Sequence, residues 1–297
     1  MGYVERHAEM YQAKGKAHAL LGGHLYALQQ HCVVPVAPPS QPHRLSDDVC
    51  STLLRRLRGW CVMWTDGFVD EPEPKWYAVI CRRHVPVGEI RDSKRRSEMR
   101  RALRDCRVAR VDAAEIARQG YETYCHALAG YRRKGSRISA PERDEYYRRI
   151  MSDAPFADIR HQWAVYVGDV LAGFAQNTVF EGECVNYSLI KLHPGYLSSY
   201  TSYALVYRMN EYYLGESRFP YVNDGYRSVS HDTGVQDFLI KKFGFEMACT
   251  PLHIRYRPWL NAALALSRLF GRRVAGLLPR ARPLLECDRL ATTRGMA

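Results

Sequence analysis

The chain has 297 residues, 46% of them hydrophobic and 25% charged, the composition of an ordinary folded protein and one that excludes global disorder. Arg, Lys, Asp or Gly interrupts each apolar stretch before the roughly eighteen residues that cross a bilayer, so no spanning helix is expected. The formal net charge of +12 is uneven: +6 over 44–110, +7 over 253–297 and −2 over 111–252, a distribution that suits a polyanionic or phosphorylated partner.

Nine cysteines, an odd number without a CxxC pair, suggest neither a disulfide framework nor a zinc site, and no metal is expected. Met1-Gly2-Tyr3-Val4-Glu5-Arg6-His7 lacks the apolar core of a signal segment, so a cytoplasmic location is expected. Residues 1–31 have helical composition weakened by Gly15, Gly22 and Gly23, and the run Pro35–Pro42 follows. Residues 1–43 therefore read as an appendage with a Pro-rich linker.

Trp60–Thr65 and Trp76–Cys81 are rich in aromatic and β-branched residues and are expected to pair as strands. Ser93–Arg104 predicts a basic helix with Ser93 as its cap. Cys106–Val111 predicts a strand, and Asp112 caps a helix to about Tyr131, with Ile116, Gly120, Tyr124 and Leu128 at steps of four. Another helix spans Glu142–Met151, after Pro141. Gly168-Asp169 joins His161–Val167 to Val170–Gln176 as a hairpin, and Cys184–Leu192 is a third strand. Helical spacing returns over Tyr200–Leu214, a short strand over Phe219–Asn223, a helix over His231–Phe243 and a last strand over Met247–Tyr256. In the tail, Trp259–Leu278 places Leu266, Phe270, Val274 and Leu277 opposite Arg268 and Arg272, an amphipathic basic helix able to lie on an anionic membrane or on RNA.

From Asp112 onward this order of elements resembles that of the GNAT acyltransferase superfamily. The phrase Ile240-Lys241-Lys242-Phe243-Gly244-Phe245 resembles the Tyr-x-Lys-x-Gly-Phe that closes the last core helix of that family: a glycine ends the helix in a left-handed cap and a phenylalanine folds back into the core. The basic helix after an aromatic strand is similar to the amino-terminal half of Fem-type peptidyl transferases, which have two GNAT-like lobes and use aminoacyl-tRNA. Together the resemblances cover about 55–256. They imply an α/β fold with a GNAT-like mixed central sheet flanked by helices, a smaller amino-terminal lobe and a carboxy-terminal amphipathic helix. The expected parts are 1–43, a small basic lobe over 44–111, a GNAT-like domain over 112–257 and a basic helical tail over 258–297.

The resemblance also implies amide formation between an amine and an activated acyl group carried by acyl-CoA, a carrier protein or aminoacyl-tRNA. The family's pyrophosphate loop, Arg/Gln-x-x-Gly-x-Gly/Ala, aligns here with Ser199, Ser202 and Ala204, so its basic or amide residue and its first glycine are replaced. The tyrosine that often protonates the leaving thiolate falls at Ile240. Lys191, Ser199, Tyr200, Ser202 and Arg227 are the expected donor-binding residues, with the serines at a helix N-terminus that can hold phosphate. By strand alternation Asn186 and Ser188 share one face of the central strand, and Tyr187, Leu189 and Lys191 the other. Asn223-Asp224-Gly225-Tyr226-Arg227-Ser228 follows the penultimate strand, where open α/β sheets bind ligands. His231 and Asp224 are the expected bases and Asn186 a third site residue, although an Asp-Gly turn and a helix cap explain parts of this stretch equally well. The alternative to an enzyme is a non-catalytic GNAT-fold module that binds RNA or a protein through its basic surface.

Overall fold

Residues 1–31 begin as a helix, but two pairs of left-handed residues turn the remainder into strands. The computed structural model describes residues 2–133, 139–229, 234–270 and 282–296. Helix α1 (Tyr3–Ala13) precedes the antiparallel strands β1 (His18–Leu21), β2 (His24–Gln29) and β3 (Cys32–Pro35). Gly22 and Gly23 turn the chain at φ of 59° and 78°, and Gln30 and His31 at 47° and 74°, the doubly positive geometry of a tight hairpin. The stretch expected as an appendage thus supplies three sheet strands, because the glycine pair favours a turn over a helix.

The chain divides into two compact units: Met1–Val79 with Gly225–Gln236 and Met247–Ala297, and Ile80–Asp224 with Asp237–Glu246. In unit one, α2 (Asp47–Leu57) leads to β4 (Cys61–Thr65), parallel to β3. Ser46 Oγ caps α2 by accepting from the Val49 N–H at 3.3 Å. The other edge of β4 pairs with antiparallel β12 (Leu252–Tyr256), which in turn pairs with β13 (Thr293–Met296). Alternation along β4 builds two cores. Val62 and Trp64 pack with Tyr26, Leu53 and Leu57 under α2. Cys61 packs with Ile254 and Tyr256 against Leu260 and Leu264 of α8 (Pro258–Phe270) and Leu290 of α9 (Arg282–Leu290). Each such aliphatic side chain contributes about 1.5–3 kcal/mol by leaving water. The expected tail helix is helical to Phe270, and residues 271–281 lie outside the described residues.

The second sheet has seven strands in the order β11-β5-β10-β9-β8-β7-β6, of which β6 to β9 lie wholly in unit two. Its strands are β5 (Tyr77–Cys81), β6 (Arg107–Val111), β7 (Arg160–Val167), β8 (Val170–Phe180), β9 (Cys184–Leu192), β10 (Tyr221–Tyr226) and β11 (Glu246–Cys249). The expected pairing of 60–65 with 76–81 does not form: β3 and β12 occupy both edges of β4, and β5 joins the other sheet. The single strand expected over 247–256 is two strands, broken at Thr250-Pro251, since proline has no N–H for a ladder.

The helices of this unit are α3 (Ser93–Asp105), α4 (Ala113–Arg133), α5 (Arg143–Met151), α6 (Thr201–Asn210) and α7 (Val235–Phe243). Asp112 caps α4 through the Glu115 N–H at 2.7 Å, as the sequence predicts. The cap of α3 is Asp92, not Ser93: its carboxylate accepts from the Arg95 N–H at 2.6 Å. Ile116 of α4 and Tyr146 and Ile150 of α5 cover Ala164 and Phe174 on one face of the sheet. On α6, Leu205 and Met209 are fully buried. Gly244 ends α7 at φ 71°, the Phe245 N–H donates back to the Leu239 carbonyl at 3.4 Å, and Phe245 is buried with its ring 6.4 Å from that of Tyr187. The helix stop read from the sequence is therefore present.

After α6 the chain opens into a π-helical turn, Glu211–Glu216, that buries Tyr213. The Tyr213 hydroxyl accepts from Trp163 Nε1 at 2.8 Å and Asn177 Nδ2 at 3.3 Å, and lies 3.1 Å from Nδ1 of His161. Burial first, and then the nearby Arg110, lower the His161 pKa from 6.5 to about 4, so the folded protein holds this ring neutral.

Replacing Gly244 by Ala should cost about 1 kcal/mol, because a Cβ strains a left-handed residue, and urea unfolding reads that loss directly. Unfolding releases His161 to its ordinary pKa, so the unfolded chain binds the extra proton between pH 6.5 and 4. Its contribution to stability is full above that window and lost as pH falls through it. His161→Phe should flatten the urea midpoint against pH in that window.

Candidate acyl-transfer site

Parallel pairing between β9 and β10 lasts for three rungs, Tyr221 with Cys184, Val222 with Val185 and Asn223 with Asn186. Beyond Asn186, β9 runs on to Leu192 without β10 beside it, while β8 accompanies it to the rung of Gly173 with Leu192. One edge of β9 from Tyr187 onward thus leaves the ladder. Backbone N–H groups at such a divergence can polarise a substrate carbonyl, the first requirement of acyl transfer.

Asn186 and Asp224 flank this opening. Asn186 holds the last rung and Asp224 follows its partner Asn223. Asn223 is buried, with Nδ2 3.5 Å from the Val185 carbonyl and 3.6 Å from Cys184 Sγ. Tyr187 donates its hydroxyl proton to Asn210 Oδ1 at 2.7 Å. Burial above all, and then Tyr213, Cys81 and Asp224, raises its pKa well above the ordinary phenol value, so the Tyr187 hydroxyl keeps its proton. Ile240 offers no proton at the position where the family often has a tyrosine.

The expected alternation of side chains along β9 is overturned at Ser188. Gln176 of β8 lies opposite Leu189, and Asn177 lies opposite Tyr187, so Ser188 is an extra residue on β9. A bulge advances the pattern by one. Leu189 packs into the core under α4, and Lys191 Nζ stands 5.7 Å from the Tyr124 ring of α4. Lys191 and Leu189 therefore share the side of Asn186, whose cross-strand partner Thr178 stands two residues from Gln176. The Ser188 hydroxyl lies 2.7 Å from Thr178 Oγ1 and 3.4 Å from an Arg160 nitrogen. Arg160 pairs in turn with buried Asp153 at 3.2 Å, which also accepts from Gln176 at 3.1 Å. Burial, and then Arg149, lower the pKa of Lys191.

After β9, a 3-10 turn over Pro194–Ser199 leads through left-handed Tyr200 into α6. His193 Nδ1 accepts from the Gly195 N–H at 3.0 Å. No side chain caps the N-terminus of α6, which leaves its positive end of the helix dipole to Ser199, Tyr200 and Ser202 around it. The Ser199 carbonyl accepts from Cys106 Sγ at 3.2 Å. Arg101 of α3 places its guanidinium carbon 5.4 Å from the Tyr200 ring. Glu98, also on α3, accepts from the Tyr203 hydroxyl at 3.1 Å and pairs with Lys242 at 3.2 Å. A neighbouring helix thus brings a cation, itself paired with Asp105 at 3.3 Å, to the ring of Tyr200. The sequence marks the basic helix but not which of its arginines reaches the loop.

The expected site residues do not all assemble. Asn186, Asp224, Lys191, Ser199, Tyr200 and Ser202 belong to unit two. Arg227 belongs to unit one, where its guanidinium donates to the Lys75 carbonyl at 2.9 Å and its N–H to the Tyr77 carbonyl at 2.9 Å. His231 lies outside the described residues. Among the described residues no cluster of His, Cys, Asp or Glu is placed to hold a metal ion, and no helix is long and apolar enough to cross a membrane.

No protein-family model and no curated protein matches the sequence. Solved structures match in fold. FemX is 12% identical with a TM-score of 0.50, over 82% of this chain and 88% of its own. A conserved protein of unknown function from Bacteroides thetaiotaomicron VPI-5482 is also 12% identical with a TM-score of 0.50, over 79% of this chain and 84% of its own. A tandem GNAT protein from the clavulanic acid biosynthesis pathway is 13% identical with a TM-score of 0.44, over 79% and 81%. The chain has an α/β fold of mixed sheets flanked by helices, similar to that of FemX.

Arg101 is 54% exposed at its side chain, so its charge can be reversed without disturbing a core. Arg101→Glu should weaken binding of CoA or tRNA, whichever the wild type binds, by about tenfold in calorimetric titration, with an unchanged thermal midpoint.

Proposed function

We propose that this protein is an N-acyltransferase that forms an amide between an activated acyl or aminoacyl donor and an amine. The observation that carries the reading is the divergence of β9 from β10 after Asn186, beside an uncapped α6 N-terminus. In this reading the donor carbonyl lies at the open edge of β9, and backbone N–H groups hold the oxygen on which negative charge builds during attack. Asp224 orients the amine and accepts its proton, with His231 a second candidate for that task. The new C–N bond forms as the acyl bond to the leaving group breaks.

An aminoacyl-tRNA donor is favoured within this proposal. The loop before α6 replaces the basic residue and first glycine that accompany a pyrophosphate, and the basic α3 stands beside it. A ribose oxygen leaving an aminoacyl ester has a neighbouring hydroxyl that can relay its proton, which accommodates Ile240 where a thiolate's acid would stand. An acyl-CoA donor is the second reading, supported by the free positive end of α6.

The deciding experiment offers acetyl-CoA and aminoacyl-tRNA, each with a panel of amines, to wild type and to Asp224→Asn. Amide product and discharge of one donor are expected. The variant should lose about 10²–10⁴-fold in kcat with donor binding retained, the range of a removed general base. No discharge of either donor, with RNA or a protein still bound, would establish the non-catalytic module instead.

A further inference from the structure

Unit one presents an aromatic corner that its sheet does not use. Trp60 is 41% and Trp259 54% exposed, whereas Trp64, Trp76 and Trp163 are at 7%, 7% and 5%. The two exposed indoles meet edge to face at 5.8 Å, and His31 stacks on Trp60 at 4.1 Å with planes 11° apart. The backbone beneath them is tied down. The Trp60 N–H donates to the His31 carbonyl at 2.6 Å and the Arg257 N–H to the Trp60 carbonyl at 3.0 Å. The Arg257 guanidinium joins the exit of α2 to this corner through the Gly59 carbonyl at 2.7 Å and the Leu54 carbonyl at 2.6 Å. Leaving two large indoles in water forfeits burial that a well-anchored corner could otherwise gain, so their exposure calls for a partner.

The chemistry around them identifies the partner's class. Arg55 and Arg56, in the last turn of α2, and Arg58, its left-handed cap, are all exposed. Over 259–265 of α8, Leu260 and Leu264 are buried, while the exposed residues after Trp259 are Ala262, Ala263 and Ala265, none of them charged. Indoles settle at the boundary between lipid headgroups and acyl chains, an uncharged small-residue face can enter with them, and arginines meet lipid phosphates. A nucleic acid strand would instead need several cations along α8, whose sequence carries Arg268 alone, and His31 already covers one face of the Trp60 ring.

We infer that this corner docks unit one on an anionic lipid surface, with Trp60, Trp259 and the alanine face of α8 at the headgroup boundary and Arg55, Arg56 and Arg58 on the phosphates. The site lies wholly in unit one and is independent of the transfer chemistry, so either proposal can fail alone.

The test uses the full chain with phosphatidylcholine vesicles, with and without phosphatidylglycerol, read by co-sedimentation and tryptophan emission. Because the other three tryptophans are buried, a blue shift on adding vesicles reports Trp60 and Trp259. Binding only to the anionic vesicles with a blue shift is expected, weakening with salt. The double variant Trp60→Ala/Trp259→Ala should bind about tenfold or more weakly at an unchanged melting temperature. Arg56→Glu with Arg58→Glu should remove the preference for phosphatidylglycerol. Equal binding to both vesicle types, undiminished binding by the tryptophan variant, or a variant that loses binding to single-stranded RNA and not to vesicles would each overturn the assignment.

Discussion

Two parallel strands that stop pairing while both continue create the constraint on which unit two depends. An interior strand edge without a ladder is costly, because each buried N–H and C=O without a partner loses about 1–3 kcal/mol. The divergence of β9 from β10 is tolerable only if the opened edge meets solvent or a ligand, and the second half of β9 is only partly buried, unlike its start at Cys184 and Val185. The same opening that costs stability bares the strand edge at which the proposed carbonyl lies. Candidate chemistry and structural expense therefore have one origin.

The surrounding structure holds the opening in place. On one side of the sheet, Asp153, Arg160, Thr178 and Ser188 link the bulge of β9 to β7, β8 and the turn after α5. A buried ion pair of this kind adds little net stability, yet removing one partner strands the other charge, so it serves better as a device of register than of energy. On the other side, Tyr187 and Tyr213 are phenols locked by Asn210, Asn177 and Trp163. Burial keeps both protonated, and their hydrogen bonds tie α6 and its following turn to the sheet.

Charge is arranged with equal economy. The loop before α6 has no basic residue, but α3 brings Arg101 to Tyr200, and Glu98 draws Tyr203 and Lys242 together beneath it. The loop and helix thus share contacts that neither sequence segment shows alone. In unit one, the exposed arginines at the end of α2 offset the carboxyl end of that helix dipole and precede Trp60 in the chain. Electrostatics at both places depends on which residues adjoin.

The local grammar of the chain was legible because it depends on neighbours in sequence. Asp112 at the start of α4, Gly168 in the hairpin, the span Cys184–Leu192 and the Gly244 stop each follow from a side chain or a φ preference acting within a few residues, and the order of elements already suggested the GNAT-type fold. Facts that depend on distant partners were not legible. Trp60–Thr65 reads as a partner for Trp76–Cys81, but β3 and β12 take its edges. Ser188 reads as one step in an alternation, but its bulge exists only against β8. Arg227 reads as a donor-binding residue, but its guanidinium is bonded to the Lys75 carbonyl and its N–H to the Tyr77 carbonyl. Sequence alone determined the elements and their ends, through short-range sterics and capping. Tertiary structure decided strand partners, side-chain faces and the meeting of charges, because a strand's open edges and a bulge's register are set by chains that arrive from far along the sequence.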